Sequence, residues 1–402
     1  MPRRFHPLFL LAAFFLVFSL SWADDAGAAR VIADMRGKNV AIPDTVESVA
    51  TIDDGFVEGV MTHLGVIDRV TAIGSWSMKR DYRYQFETAD GESYEHRGWN
   101  TMKYLHPWLD ELPCLNSPQG DVIDFEALAA VNPDVVILRI GDCTLGGGDK
   151  DAVARTIDTI EALGLALVVL YAPGTGGGDA WDLDSLRVEM GVVGDVFGQK
   201  EKALALADSL AATETMIRER TKDVAEDEKT RLLYYSLDPG TRSQSGGGAG
   251  LATGVNTPES YIVENIANAR NAFTGRGSRV PMSAEQVYAL DPDVIVLPTF
   301  NGYHPPRELM DSPYYRNFAE LRAVKEQRVH AMPWTPMNCA RRLEYPIDML
   351  IIAKAAYPDT FADIAVHNFA LDLYKRLYGV DDETARGLAT TQLLDWMLED
   401  GF

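Results

Sequence analysis

Sulfur and imidazole are scarce in this chain. Its 402 residues hold three cysteines, Cys114, Cys143 and Cys339, and seven histidines. No CxxC or Cys/His spacing occurs, which argues against a structural zinc site. No two histidines stand four residues apart, so three or four converging ligands for free zinc or manganese are not in prospect. In an oxidising compartment one cysteine pair can bridge, with one thiol left over. Cys114 and Cys143 are the nearer pair, and buried free thiols are an equal alternative. Positive charge is also short: 37 Lys and Arg face 59 Asp and Glu, a formal net charge of -22. That balance argues against nucleic acid, whose phosphates demand a basic face. Beyond its first residues the chain has no apolar run long enough to cross a membrane. Catalytic signatures are missing too. There is no GxSxG, no HExxH and no carboxylate pair tied to a context. The glycine runs Gly146–Gly148, Gly176–Gly178 and Gly246–Gly248 lack the Lys-Ser/Thr of a phosphate-binding loop. A protein that is not an enzyme is the expectation.

What is present begins with a leader. "MPRR" is a cationic start, "PLFLLAAFFLVFSL" a short apolar core, and "SWA" ends in small residues at Ser21 and Ala23. This pattern predicts a secretory signal peptide over residues 1–23. No cysteine follows the cleavage point, so a lipid anchor is not expected. Losing Arg3 and Arg4 leaves 35 basic against 59 acidic residues. The mature chain is expected to be soluble, acidic and exported.

Strand and helix signals alternate along the rest. "VESVATI", "RVTAIG", "DVVIL" and "LALVVLY" read as strands. "GFVEGVMTHLGV", "DFEALAAV" and "DAVARTIDTIEALG" read as helices, the first stopping at Gly65 and the second capped by Asp124. From about Leu183 to Val224 the strand signal vanishes, and "QKEKALALADSLAATETMIRERTKDV" is a long helix free of Gly and Pro. Alternation then resumes with "RLLYYSL", "ESYIVENIAN", "SAEQVYAL", "DVIVLP" and "RVHAMP", and two helices close the chain. The organisation expected is an α/β lobe over 24–180, a helical connector over 181–226, and a second α/β lobe with terminal helices over 227–402.

One phrase occurs twice. "DFEALAAVNPDVVIL" and "SAEQVYALDPDVIVL" align Glu126 with Glu285, Pro133 with Pro292 and Asp134 with Asp293, each ending in an apolar run. The repeat predicts a helix, a Pro-Asp turn and a strand in each of two similar lobes. Ligands of such sheets sit beyond the carboxyl ends of the strands, and clefts between domains are favoured sites. These stretches, with "VIADMRGKNVAIPDTVESVATI", "LRAVKEQRVHAMP" and "LIIAKAAYPDTFADI", resemble the periplasmic substrate-binding proteins of ABC importers for iron complexes and cobalamin. The resemblance spans Val31 to about Tyr378. It implies two Rossmann-like lobes with central parallel sheets, one rigid connecting helix and a ligand cleft between the lobes. It further implies a monomer that delivers its ligand to a permease dimer with ATPase subunits. The cargo expected is an iron complex, a siderophore or haem-like chelate, with cobalamin and molybdate or tungstate as alternatives. No resident cofactor is expected.

Strand ends nominate the cleft residues. Asp53 and Asp54 follow "VATI", Ser75 and Trp76 follow "RVTAIG", and Arg139, Asp142 and Cys143 close or follow "DVVIL". Thr299, Asn301, Tyr303 and His304 follow "DVIVLP", and Trp334, Asn338, Arg341 and Arg342 follow "RVHAMP". The ligand-binding set is expected to be Asp54, Trp76, Arg139, Asp142, Tyr303, His304, Trp334 and Arg341. Aromatic faces and Arg suit a chelate; Tyr303 or His304 would suit a haem axial position; "GDCTLGGGD" would suit a small oxyanion. The family places an aromatic residue at the turn of Trp334 to lie against a flat ligand. It also presents one acidic docking residue on each lobe's rim, and the equivalents here are Glu111 and Glu259. The stretch 77–118 is longer than the family's ordinary loop and rich in aromatics, and its role is left open.

Overall fold

The computed structural model describes residues 29–117, 120–141, 144–175, 183–245, 248–299, 302–334 and 342–402. The chain opens with a hairpin of β1 (Ala29–Ala33) and β2 (Asn39–Pro43), then β3 (Val49–Ile52) leads into α1 (Phe56–Leu64). Helix α1 starts at Gly55 with φ 102° and stops at Gly65 with φ 77°, where the Gly65 N–H donates back to Met61 and Thr62. Both caps use the left-handed region that glycine enters without strain. After β4 (Val70–Ile73) and the short α2 (Trp76–Lys79), a hairpin of β5 (Tyr82–Glu87) and β6 (Ser93–Gly98) stands apart from the main sheet. Then come α3 (Thr101–Leu105), the ribbon β7 (Asn116–Ser117) with β8 (Gly120–Ile123), α4 (Phe125–Val131), β9 (Val135–Ile140), α5 (Lys150–Ala162) and β10 (Leu167–Tyr171). The four main strands form a parallel sheet in the order β10-β9-β3-β4. Strands β3 and β9 are buried at every position, as expected of a sheet covered on both faces.

Two helices follow, α6 (Asp184–Val196) and α7 (Lys200–Thr221). Helix α7 has 22 residues, about 33 Å at 1.5 Å per residue. It buries Ala203, Leu206, Ala207, Leu210, Thr213, Ile217 and Thr221, one helical stripe, against α6 and the C-terminal helices.

The second sheet is built from β11 (Arg231–Ser236), then, past α8 (Pro239–Ser245), β12 (Ala249–Thr253). Helix α9 (Pro258–Tyr261) runs on into a π-helical turn over Ile262–Ile266. Next are β13 (Arg270–Asn271), β14 (Val280–Ser283), α10 (Ala284–Leu290), β15 (Val294–Leu297), α11 (Pro306–Asp311), α12 (Arg322–Lys325) and β16 (Val329–Ala331). The order is β14-β12-β11-β15-β16, with β13 beside the start of β11. Strands β11, β15 and β16 are parallel, but β12 and β14 add antiparallel edges that the sequence pattern did not announce. Four helices, α13 (Tyr345–Ala356), α14 (Val366–Tyr378), α15 (Asp382–Thr391) and α16 (Trp396–Glu399), finish the chain. They reach back to the first lobe, α14 against α1 and α15 against α3. Among the described residues no helix is long and apolar enough to cross a membrane.

The repeated phrase has a common physical job. In the first copy Asp124 caps α4 by accepting from Ala127 N at 2.8 Å; in the second, Ser283 and Gln286 form a reciprocal capping box on α10. Each helix ends on a left-handed residue, Asn132 (φ 46°) or Asp291 (φ 42°), just before the proline that bars continuation. The following aspartates then bind the neighbouring strand. Asp134 accepts from Glu47 N and Ser48 N at 2.8 and 2.9 Å, at the entry to β3. Asp293 accepts from Arg231 N at 2.7 Å, at the entry to β11. Burial opposes ionisation of Asp293, yet the Arg231 amide and the Arg322 guanidinium hold its carboxyl below the usual range. Thus each copy pins its strand to a parallel neighbour and fixes that pair's register.

Candidate ligand site

The loops after β3 and β4 meet at the N-terminus of α1. Asp53 turns inward and its Oδ2 accepts from Val57 N at 2.7 Å, within the first turn of α1. Asp54 is fully buried. Its Oδ1 accepts from the hydroxyls of Ser75 at 2.7 Å and Ser77 at 2.5 Å. Arg342, which lies past β16 and before α13, donates Nε to the Asp54 carbonyl at 3.0 Å and Nη2 to Oδ2 at 3.2 Å. With Arg342 only 8% exposed, this is a buried ion pair across the two lobes. A Cβ at Gly55 would lie 3.3 Å from both amide atoms of Asn100 and 3.5 Å from Arg342 Nε. Gly55 therefore lets three segments converge on the positive end of α1, a geometry suited to an anion.

Buried donors gather around that point. Asn100 and Thr101 are fully buried. Asn100 Oδ1 accepts from Met102 N at 2.8 Å, capping α3, while its Nδ2 and the Thr101 hydroxyl find no hydrogen-bond partner among the described residues. The Tyr82 hydroxyl is likewise buried and unpartnered, and burial pushes it up to about 12. Tyr84 is also pushed up to about 12 by burial, opposed by the adjacent Trp334 indole N–H. Leaving such groups unpaired costs about 1–3 kcal/mol each, so their clustering marks a place built to meet an acceptor.

The aromatic insertion forms a strap across the lobes. In β5 and β6 alternate residues face inward: Tyr82, Tyr84 and Phe86, paired in register with Gly98, His96 and Tyr94. Trp334 of the second lobe lies 5.1 Å from the Tyr82 ring and 6.2 Å from Tyr84. Further along, Tyr303 packs 5.8 Å from Phe86 and 5.9 Å from His96. Arg307 donates to the Tyr94 hydroxyl at 2.8 Å, and Ala89 N donates to Asp311 O at 2.8 Å. His96 Nε2 meets Thr390 O at 2.9 Å.

The nominated residues thus separate. Asp54 lies at the convergence point, with Trp76, half-buried, one residue beyond Ser75. Trp334 is fully buried against the strap, so the face expected to lie on a flat ligand is covered by protein. Arg139, expected in the cleft, lies inside the first lobe. It is fully buried, pairs with Glu189 at 2.6 Å, stands 3.6 Å from Asp53 and stacks over Phe56 at 4.2 Å. Burial pushes Glu189 up to about 7 against the pull of Arg139, and burial followed by Asp53 pushes Glu58 well above the carboxylate range. Tyr303 and His304 diverge. Tyr303 turns to the strap, whereas His304 is fully buried in the second lobe with Nδ1 3.0 Å from Glu308 Oε2. His304, nominated for the cleft, thus has its ring buried against Glu308 within the second lobe. Glu111 is exposed, as a rim residue must be. Glu259 is 8% exposed in the first turn of α9, which does not suit a contact with a partner. The Cys114 thiol is free, donates to Asn116 O at 3.2 Å and is pushed up by burial. Asp142, Cys143, Asn301, Asn338, Cys339, Arg341 and the leader 1–23 lie outside the described residues. Asn100, Thr101, Tyr82 and Tyr84 were not nominated from sequence. The period-two pattern of "YRYQFE" and "SYEHRG" was the available signal for the two tyrosines.

Residues 64–334 match the family described as periplasmic binding protein. Among curated proteins the chain is 23% identical over 383 residues to the molybdate-binding protein MolA of Haemophilus influenzae, covering 90% of this chain and 94% of that one. The molybdate-bound structure of MolA has a TM-score of 0.63 at 18% identity, covering 88% of this chain and 98% of that one. A periplasmic solute-binding protein of Veillonella parvula reaches 0.70 at 18% identity, covering 93% and 100%. A periplasmic haem-binding protein of Pseudomonas aeruginosa reaches 0.52 at 19% identity, covering 78% and 94%. These structural likenesses establish the fold.

Proposed function

The chain belongs to the periplasmic binding protein family, and we propose that the solute it carries is a small tetrahedral oxyanion of the molybdate class. Its general role is that of its relatives, substrate-binding protein of an ABC transporter, which works with a permease and an ATPase. Those relatives are transport proteins and not enzymes.

One observation carries the choice of solute. Asn100 Nδ2 can only donate, it is buried without a partner among the described residues, and it converges with Arg342 on the N-terminus of α1. A ligand made of acceptor oxygens satisfies such groups; a ligand with its own donors does not. Asp54 keeps Arg342 from carrying a bare buried charge, and a buried guanidinium without a partner would be costly. Discrimination then comes from the number and direction of N–H and O–H groups, not from net charge. Relatedness to MolA over nearly the full length of both chains supports the same reading.

An iron chelate is the second reading, favoured by the gathering of Tyr82, Tyr84 and Trp334 beside the site. Metal analysis and an absorption spectrum of protein purified from the periplasm separate the two. The oxyanion reading expects molybdenum or tungsten at up to one equivalent and no visible absorbance. Stoichiometric iron with a visible chromophore would replace it by the chelate reading.

A further inference from the structure

Gly98 faces Tyr82 across the strap, where any larger residue would project toward the second lobe. A Cβ there would lie 2.8 Å from Trp334 Cδ2 and 2.9 Å from Cε2. The indole therefore rests on the strap at the position of a missing side chain. Tyr82 and Tyr84 flank it, at ring distances of 5.1 and 6.2 Å. Trp334 has no exposed surface, although the turn that carries it leads to Arg342, which reaches Asp54. An aromatic residue on this turn has two options. It can offer its face to a ligand, or it can be covered by protein, and here the strap covers it.

We propose that the β5–β6 strap sets the size limit of the cleft: by holding Trp334 against Gly98 between Tyr82 and Tyr84, it fills the space a planar metal chelate would occupy. The inference rests on the oxyanion reading for the identity of the solute that remains admissible, and on the packing for the covering of Trp334. The strap is also fastened to the second lobe at three further points. Tyr94 holds Arg307, Ala89 N holds Asp311 O, and His96 holds Thr390 O. A planar ligand would have to displace the indole or release these fastenings. The alternation of the hairpin has a matching logic. Its inward face is aromatic or glycine at every position, while Arg83, Gln85, Glu87, Glu95 and Arg97 point outward. Contact surface with the second lobe, and not solubility, explains the inward set.

The test uses haemin as the planar probe and the mature chain in three forms: wild type, Trp334→Ala, and Tyr82→Ala with Tyr84→Ala. Haemin is titrated by its Soret band, molybdate by calorimetry, and folding is checked by circular dichroism. Wild type is expected to give no saturable Soret shift. Trp334→Ala is expected to bind haemin at one equivalent, tighter than wild type by about tenfold or more. The tyrosine pair, which leaves the second-lobe core intact, provides the same readout if Trp334→Ala unfolds. Saturable haemin binding by wild type overturns the size limit, and so does a folded variant with no gain. Failure of wild type to bind molybdate or tungstate refutes the solute reading alone, because the haemin comparison does not depend on it.

Discussion

Replacing Arg342 by Met probes the ion pair that joins the lobes. The substitution keeps the aliphatic stem and removes the guanidinium that pairs with Asp54, whose carboxylate keeps its bonds to Ser75 and Ser77. Removing one partner of a buried pair costs about 3–5 kcal/mol, because the other charge stays buried. The two serine hydroxyls still satisfy Oδ1, which places the expected loss near the low end, about 3 kcal/mol. Asp54→Asn alone should cost a similar amount, about 3 kcal/mol, through the orphaned guanidinium. The double variant removes both charges, so it should be more stable than the sum of the single losses by about 2 kcal/mol. Urea unfolding of all four proteins, followed by tryptophan fluorescence and circular dichroism, gives the coupling. A coupling below about 0.5 kcal/mol is what an exposed pair gives, and it would refute the account of a buried clasp between lobes.

Glu58 and Glu189 have raised values in the folded chain, by burial first. Between the ordinary Glu range and the folded value the native state holds a proton that the unfolded chain has released. Stability therefore falls with rising pH, by about 1.4 kcal/mol per pH unit for each group in its window. For Glu189 that window runs from the ordinary Glu range up to about 7; a melting temperature that rises from pH 5 to pH 7 would contradict it. Glu58→Gln mimics the protonated form and should flatten the fall in stability above the ordinary Glu range, which thermal melts across the pH scale would detect. Helix α7 and the strap both span or join the lobes, so scattering profiles with and without ligand should nearly superimpose; a clear drop in radius of gyration would show that they do not brace the molecule. Exposed Glu111 is expected to act in docking, so Glu111→Lys should lower uptake in cells and leave solute affinity in vitro unchanged; full uptake by the variant would remove it from that role.

The fold was largely readable because its information is local and periodic. Gly65, Asp124 and the Asn132-Pro133 and Asp291-Pro292 pairs end or begin helices by backbone conformation alone, so the sequence states their effect directly. Strands β12 and β14 were missed: "AGLAT" and "VPMS" are short, with a glycine in one and a proline in the other, and owe their strand state to neighbouring strands. Site residues were harder. Strand ends nominated Asp54, which lies where three segments meet α1, but gave no means of telling an Arg that faces the cleft from one paired with buried Glu189. Asn100 lies far from any main-sheet strand end, carried to α1 by the strap. Its role follows from tertiary packing, which no residue spacing encodes.

Calorimetric titration of the mature, ligand-stripped protein with molybdate tests the central claim most directly, with sulfate and haemin as competitors. Wild type should bind one molybdate, with Kd below about 1 µM, and Asn100→Ala should weaken it by about tenfold or more through loss of a buried donor. No heat with molybdate or tungstate, or an Asn100→Ala protein that binds as wild type does, would contradict a solute held by the donors around Gly55.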